Sequence, residues 1–271
     1  MNDHELAARA LDVNAANLAL GHETLRIDGA TIVRDRRITN IYDANHVRDV
    51  TAATPAEIDA LLILVEKEFA GYGHRMFHVD FRTPPQFEAR LQFEGYTRSD
   101  ALVLILEGQL RGAAPPCDVR PIEGEADWAW FRALSAVDWQ ESSSREGKPE
   151  EPSVGEGLAL ANRWKSPPAR FYLAWADGEP RGYFNAWEGI DGVGQVENLF
   201  VHPDWRHRGL ATALVYQCVA DARAHGAGPV VIVADPTDTP KRMYAAMGWR
   251  PIAVMREYKR ELVDGRSDVS T

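Results

Sequence analysis

Residues 206–211, Arg-His-Arg-Gly-Leu-Ala, stand between an alternating apolar stretch, VENLFVHP (196–203), and a run with helical spacing, residues 210–226. A helix start leaves about four backbone N–H groups without intrahelical partners and carries the positive end of the helix dipole. Anions bind there. Gly209 keeps side chains out of the turn that a diphosphate must approach, and Ala211 keeps the first helical turn narrow. Arg206 and Arg208 add positive charge at the rim, so the stretch has the chemistry of a pyrophosphate cradle.

Two competing phosphate loops are absent from the sequence. A dinucleotide fold needs Gly-x-Gly-x-x-Gly after its first strand, and a nucleoside triphosphatase needs Gly-x-x-x-x-Gly-Lys-Ser/Thr. His74, His78 and Asp80 share a strand face, but they lack supporting ligands at metal-site spacing; an exposed face and no metal are expected. Cys117 and Cys218 are too few for a disulfide framework or a thiolate metal site; Cys218 reads as core and Cys117 as incidental.

The elements that hold the cradle read clearly from pattern. In the second half a strand near 118–121 precedes a helical region with Trp128, Trp130, Phe131 and Leu134. A polar loop (140–157) and a helix (158–165) follow. Asp177-Gly178 joins two strands as a hairpin. After a loop at 190–194 come a strand (195–201), a helix from Gly209 to about Ala224 closed by Gly226, and a buried strand, PVVIVAD. A short helix between Pro240 and Gly248 and a last strand, PIAVMREYKREL, complete the order.

The first half repeats part of this order: helix (54–73), strand (74–81), helix (83–96), strand (98–108). Its closing glycines, Gly71 and Gly95, are spaced much like Gly226 and Gly248, which points to a divergent internal duplication. Where the second copy has the glycine-opened helix, the first has no glycine. The Gly/Pro-rich stretch 109–121 marks the boundary, giving domains 1–112 and 113–271.

Bulk properties bound the function. The chain has 271 residues, 45% of them hydrophobic and 26% charged, and a formal net charge of -10. Length favours two domains. No Lys/Arg run makes a footprint for nucleic acid. The longest apolar runs are about six residues against the roughly 20 that span a bilayer, and the first twenty residues lack a signal-peptide core, so no membrane and a cytoplasmic location are expected.

With these residues in view, VENLFVHPDWRHRGLATALV resembles the acyl-CoA-binding motif of the GNAT superfamily of acyl-CoA-dependent N-acyltransferases, and MYAAMGWRPI resembles its Tyr-x-x-x-Gly-aromatic segment. The resemblance covers about Asp118 to Leu262. It implies an α/β (α+β) fold of two tandem GNAT-like domains, each a mixed, mostly antiparallel sheet flanked by helices, the N-terminal copy having lost the cradle. It also implies that Leu199, Phe200 and Val201 line the pantetheine arm on a strand that splays from the next. His207, Arg208, Gly209, Leu210, Ala211 and Thr212 would cradle the diphosphate.

Tyr244 matches the tyrosine that protonates the departing thiolate in many relatives; a core tyrosine on a short helix is the alternative. Thr237 occupies the place where many members carry Asn, and a hydroxyl cannot donate and accept as an amide does; Asp238 suits a helix cap. Glu197 lies beside the expected thioester, two residues before Leu199 and on the same face as Leu199 and Val201. It is either the amine's proton acceptor or a carboxylate bound to a cation.

The resemblance implies that residues 123–165 read the acceptor, with Trp128, Trp130, Trp139 and Trp164 among Glu141, Glu146, Glu150, Glu151 and Glu156; alternatively the tryptophans are core and the glutamates a solvated loop. The expected function is N-acetyl transfer from acetyl-CoA to a small-molecule or peptide amine by a monomer or homodimer. A non-catalytic acyl-CoA-binding or dimerisation module on the same fold is the alternative, and an oligomeric scaffold the third reading.

Overall fold

Asn2 caps the first helix, its side chain accepting from the Glu5 amide at 2.9 Å while Glu5 accepts from the Asn2 amide. The computed structural model describes residues 2–147, 151–237 and 240–262. In the first half the elements are α1 (Asp3–Ala19), β1 (Glu23–Ile27), β2 (Ala30–Arg34), β3 (His46–Arg48), α2 (Pro55–Glu68), β4 (His74–Val79), α3 (Pro85–Phe93) and β5 (Thr97–Leu106). Then come β6 (Asp118–Pro121), α4 (Glu125–Glu146), α5 (Pro152–Trp164), β7 (Arg170–Ala176), β8 (Glu179–Ile190) and β9 (Val193–Val201). A 3-10 turn (Pro203–Trp205), α6 (Leu210–Ala224), β10 (Val230–Ala234), α7 (Pro240–Ala246) and β11 (Arg250–Glu261) complete the described chain.

The described chain folds as two compact units, one of residues 2–21 with 102–253, the other of 22–101 with 254–262. In the first unit the strand order is β5-β10-β9-β8-β7-β6, antiparallel except for the β9–β10 pair. Helix α6 packs on β7 to β10, and α1 and α4 pack on β8 and β9. In the second unit β1-β2-β3-β4-β11 is antiparallel except for β3–β4. Both are the mixed, mostly antiparallel sheets with helices of the tandem α/β (α+β) fold.

The duplication is visible in the backbone. Tyr96 N–H donates to Leu91 O and Gly95 N–H to Gln92 O; Trp249 and Gly248 repeat this with Tyr244 and Ala245. Gly95 and Gly248 hold φ 79° and 103°, a left-handed region where a Cβ is strained. Leu91 therefore occupies in the first copy the place of Tyr244 in the second. The final strand of each copy pairs outside that copy: β5 with β10, and β11 with β4.

Three local expectations are corrected. Residues 140–146 are not loop but the last turns of α4, closed by left-handed Gly147, and α5 begins at Pro152. The loop at 190–194 is a two-residue turn, Asp191-Gly192, with φ 50° and 76°, the same device as Asp177-Gly178. Strand β4 is buried on both faces, so His74 and His78 are not an exposed face: His74 Nε2 lies 3.1 Å from Asn45 O, and His78 stacks on His46 at 4.3 Å.

Candidate active site

The site grows from an irregularity in β9. Tyr183 of β8 pairs with Phe200 and Asn185 with Glu197, so a three-residue step on β9 faces a two-residue step on β8. Asn198 absorbs the extra residue with φ 61°. Alternation breaks there: Val196, Leu199 and Val201 all join the core under α6, while Phe200 turns to the other face, its ring 5.4 Å from that of Tyr183. The expected common face for Glu197, Leu199 and Val201 is thereby undone. Glu197 lies instead with Gln195, whose Nε2 donates to Glu197 at 2.8 Å and to Asn14 of α1 at 2.9 Å.

Strand β9 pairs with β10 only through Gly194 and Gln195, opposite Val230 and Val231, whereas β10 keeps its ladder with β5 through Ala234. Residues 196–201 are thus left without a β10 ladder partner. This is the splay that the sequence resemblance implies.

Beyond β9 the chain turns through His207 (φ 61°) and Gly209 (φ 88°), and α6 begins at Leu210 with no side-chain cap. The corresponding helix of the first copy, α2, is closed differently. Thr54 accepts from Glu57 N–H, and Glu57 accepts from Ala53 and Thr54 N–H. One helix start is plugged by its own side chains; the other is bare.

A cavity of about 680 Å³ opens at the bare end. Its walls include Leu199, Phe200 and Val201 from β9, with Gly209, Leu210, Ala211 and Thr212 from the start of α6. Arg206 and His207 border it, and α4 contributes Asp138, Glu141 and Arg145. Nine of the sequence-expected residues therefore meet in one space.

Four others lie elsewhere. The Arg208 guanidinium stacks on Trp205 at 4.5 Å and does not line the cavity. Thr237 turns its hydroxyl and amide onto Asp235, both at 2.6 Å. Tyr244 is buried in the α6 core at 3% exposure, its ring 6.1 Å from Trp249, while its neighbour Met243 reaches the cavity wall. Glu197 sits behind the bulge. The cap expected at Asp238 lies outside the described residues, as do Glu150 and the side chain of Glu146.

Arg206 is not a free rim charge: it holds Glu141 in a two-pronged ion pair, one bond at 2.7 Å, and its Nε donates to Val201 O at 3.1 Å. The Arg206 hydrogen bond keeps the Glu141 carboxyl below the usual carboxylate range. Asp138, by contrast, accepts from the Tyr183 phenol at 2.7 Å. Burial pushes the Asp138 carboxyl up, the phenol bond opposing it. Sequence reasoning missed this pair, although Asp138 lies one turn before Glu141 on the same helix.

The aromatic region 123–165 is mostly scaffold. Trp128 packs on Phe131 and Phe171, and Trp139 Nε1 donates to Glu151 O. Cys218 is fully buried, in the α6 core. Among the described residues no group of three His, Cys, Asp or Glu side chains could hold a metal, and no helix is long and apolar enough to cross a membrane.

Residues 130–249 match the model of the acetyltransferase (GNAT) family. Those residues, which hold the site, therefore form a GNAT-type acetyltransferase domain. Similar solved structures include a functionally unknown conserved protein from Staphylococcus epidermidis, 13% identical with a TM-score of 0.68, covering 89% of this chain and 95% of that one. A GCN5-related N-acetyltransferase from Kribbella flavida is 18% identical with a TM-score of 0.67, over 95% and 96%. A tandem GNAT protein from the clavulanic acid biosynthesis pathway is 15% identical with a TM-score of 0.56, over 82% and 76%. At these identities the likeness is one of fold. No curated protein matches the sequence.

Proposed function

We propose that the chain is an acyl-CoA-dependent N-acetyltransferase that moves an acetyl group from acetyl-CoA to a primary amine by direct attack on the thioester. One observation carries the reading: α6 begins bare at Gly209 beside a cavity, whereas its counterpart α2 is sealed by Thr54 and Glu57. Diphosphate would lie on the first amides of α6, and the pantetheine arm would run along the unpaired edge of residues 196–201. There the Val201 N–H would support the thioester oxygen as charge develops on it.

Tyr244 would protonate the leaving thiolate, which needs its phenol to come within reach of the cavity that its neighbour Met243 lines. Glu197, steadied by Gln195, would take a proton from the amine directly or through a water. In this reading residues 1–112 are a copy without a cradle, kept for structure, and residues 113–271 carry the chemistry.

Calorimetry of the purified chain with CoA tests the cradle, and thiol release from acetyl-CoA with a panel of amines tests transfer. Heat with CoA but no thiol release would mark a non-catalytic binder. No heat at all would remove the reading altogether.

A further inference from the structure

A primary amine meets the enzyme as an ammonium at neutral pH, since an alkylammonium such as that of lysine has a pKa of about 10.4. Two protons must leave its nitrogen before the amide is formed. The first frees the lone pair. The second leaves when the tetrahedral adduct, whose nitrogen still carries two hydrogens, collapses. The acyltransferase reading, on which this inference rests, assigns one of these protons to Glu197 and leaves the other without an acceptor.

We infer that Asp138 is that acceptor: it receives the incoming ammonium and takes its first proton. Two described carboxylates line the cavity, Asp138 and Glu141. Glu141 is engaged by Arg206 and by Arg145 of its own helix. Asp138 is in no ion pair among the described residues and accepts the Tyr183 phenol at 2.7 Å. The Tyr183 ring packs against Phe200, the β9 residue that the bulge turns to this side of the sheet. The carboxylate is therefore one ring away from the strand where the thioester would lie, in the same cavity as the cradle.

The charged and titratable groups acting on Asp138 are Glu141 and Arg145 from α4, Arg206 from the segment before α6, and Tyr183 from β8. Burial and Glu141 raise its affinity for a proton, while the phenol and the two arginines lower it. A carboxylate so held is a better proton acceptor than a solvated one. The sequence of bonds is then complete. An ammonium N–H proton passes to an Asp138 carboxylate oxygen, and the freed nitrogen bonds to the thioester carbon. The second N–H proton goes to Glu197, the C–S bond breaks, and the thiolate takes the Tyr244 proton.

The test measures thiol release from acetyl-CoA by the full chain across neutral to alkaline pH, with butylamine, phenethylamine and glucosamine as probes and CoA binding followed by calorimetry. Asp138→Asn keeps the shape of the side chain and its bond from Tyr183. It is expected to retain CoA binding and lose about 100-fold or more in kcat/KM for the amine at neutral pH. The deficit should narrow as the pH approaches that of free amine in solution. Tyr183→Phe removes the donor that stabilises the carboxylate, and should move the acid limb of the profile to higher pH, a readout that a purely structural role does not shift.

A wild-type rate for Asp138→Asn, or an equal deficit at every pH, overturns the assignment and leaves the transferase reading standing. An unmoved limb in Tyr183→Phe does the same, and carries the test alone should Asp138→Asn fail to bind CoA. A wild-type chain that binds CoA but releases no thiol with any of the three probes overturns both.

Discussion

Arg206 and Glu141 are joined across the cavity mouth by a two-pronged ion pair, with Nη1 to Oε1 at 2.7 Å. The pair places a carboxylate beside the very helix start that would receive a diphosphate, and occupies an arginine that could otherwise meet it. Both effects oppose anion binding. Glu141→Gln is therefore expected to tighten CoA binding by roughly three- to tenfold, about 1 kcal/mol for a partly exposed pair. The gain should shrink at high salt. Calorimetry at two ionic strengths checks it, and weaker binding by the variant would show that the pair organises the loop instead.

Gly209 holds φ 88°, and a Cβ placed on it would lie 3.2 Å from the Pro115 side chain. Gly209→Ala thus combines a left-handed strain of about 1 kcal/mol or more with a methyl group pressed on Pro115, so that the first amides of α6 must shift. CoA affinity is expected to fall at least tenfold while the chain stays folded. A variant that binds CoA as tightly as the parent would place the diphosphate elsewhere.

Much of this site is legible in the sequence because it depends on local rules. The glycine before a helical run, the Asp177-Gly178 turn and the Gly95 and Gly248 closures are all set within a few residues. What stayed hidden depends on partners distant along the chain. Asn198 carries no mark of its left-handed turn, since the bulge exists only opposite the Tyr183–Asn185 step of β8. Without the bulge Glu197 reads as facing Leu199, which it does not. Asp138 was missed for a related reason: the Ser-rich segment after it reads as loop, whereas Ser143 is buried at 2% exposure and the helix continues to Glu146. The strands β1 to β3 are short, and the sequence reading left them out.

Tyr244 occupies the place that Leu91 fills in the first copy, and its 3% exposure makes packing alone a sufficient reason for an aromatic ring there. The hydroxyl separates the two roles. Tyr244→Phe keeps the ring, so stability should change by about 1 kcal/mol or less. If the phenol protonates the thiolate, kcat falls by roughly 10- to 1000-fold with CoA affinity unchanged. Thermal unfolding and turnover measured on the same preparation decide it: unchanged kcat assigns the residue to the core.

His46 and His74 make the smaller unit sensitive to acid. Burial depresses both; His74 falls to about 4, helped by Arg75 and Lys259, and His46 lies well below the ordinary range, with His78 stacked on it. The unfolded chain takes these protons near the ordinary histidine value of about 6.5, whereas the folded chain resists them. Stability is therefore full above about pH 6.5 and declines as the pH falls towards about 4, by roughly 3 kcal/mol for His74 alone. His74→Gln keeps a donor for Asn45 O and removes the titration. The melting temperature of the parent should fall more steeply than that of the variant across this window. Parallel curves would mean that His74 is protonated in the folded chain and that burial does not hold it neutral.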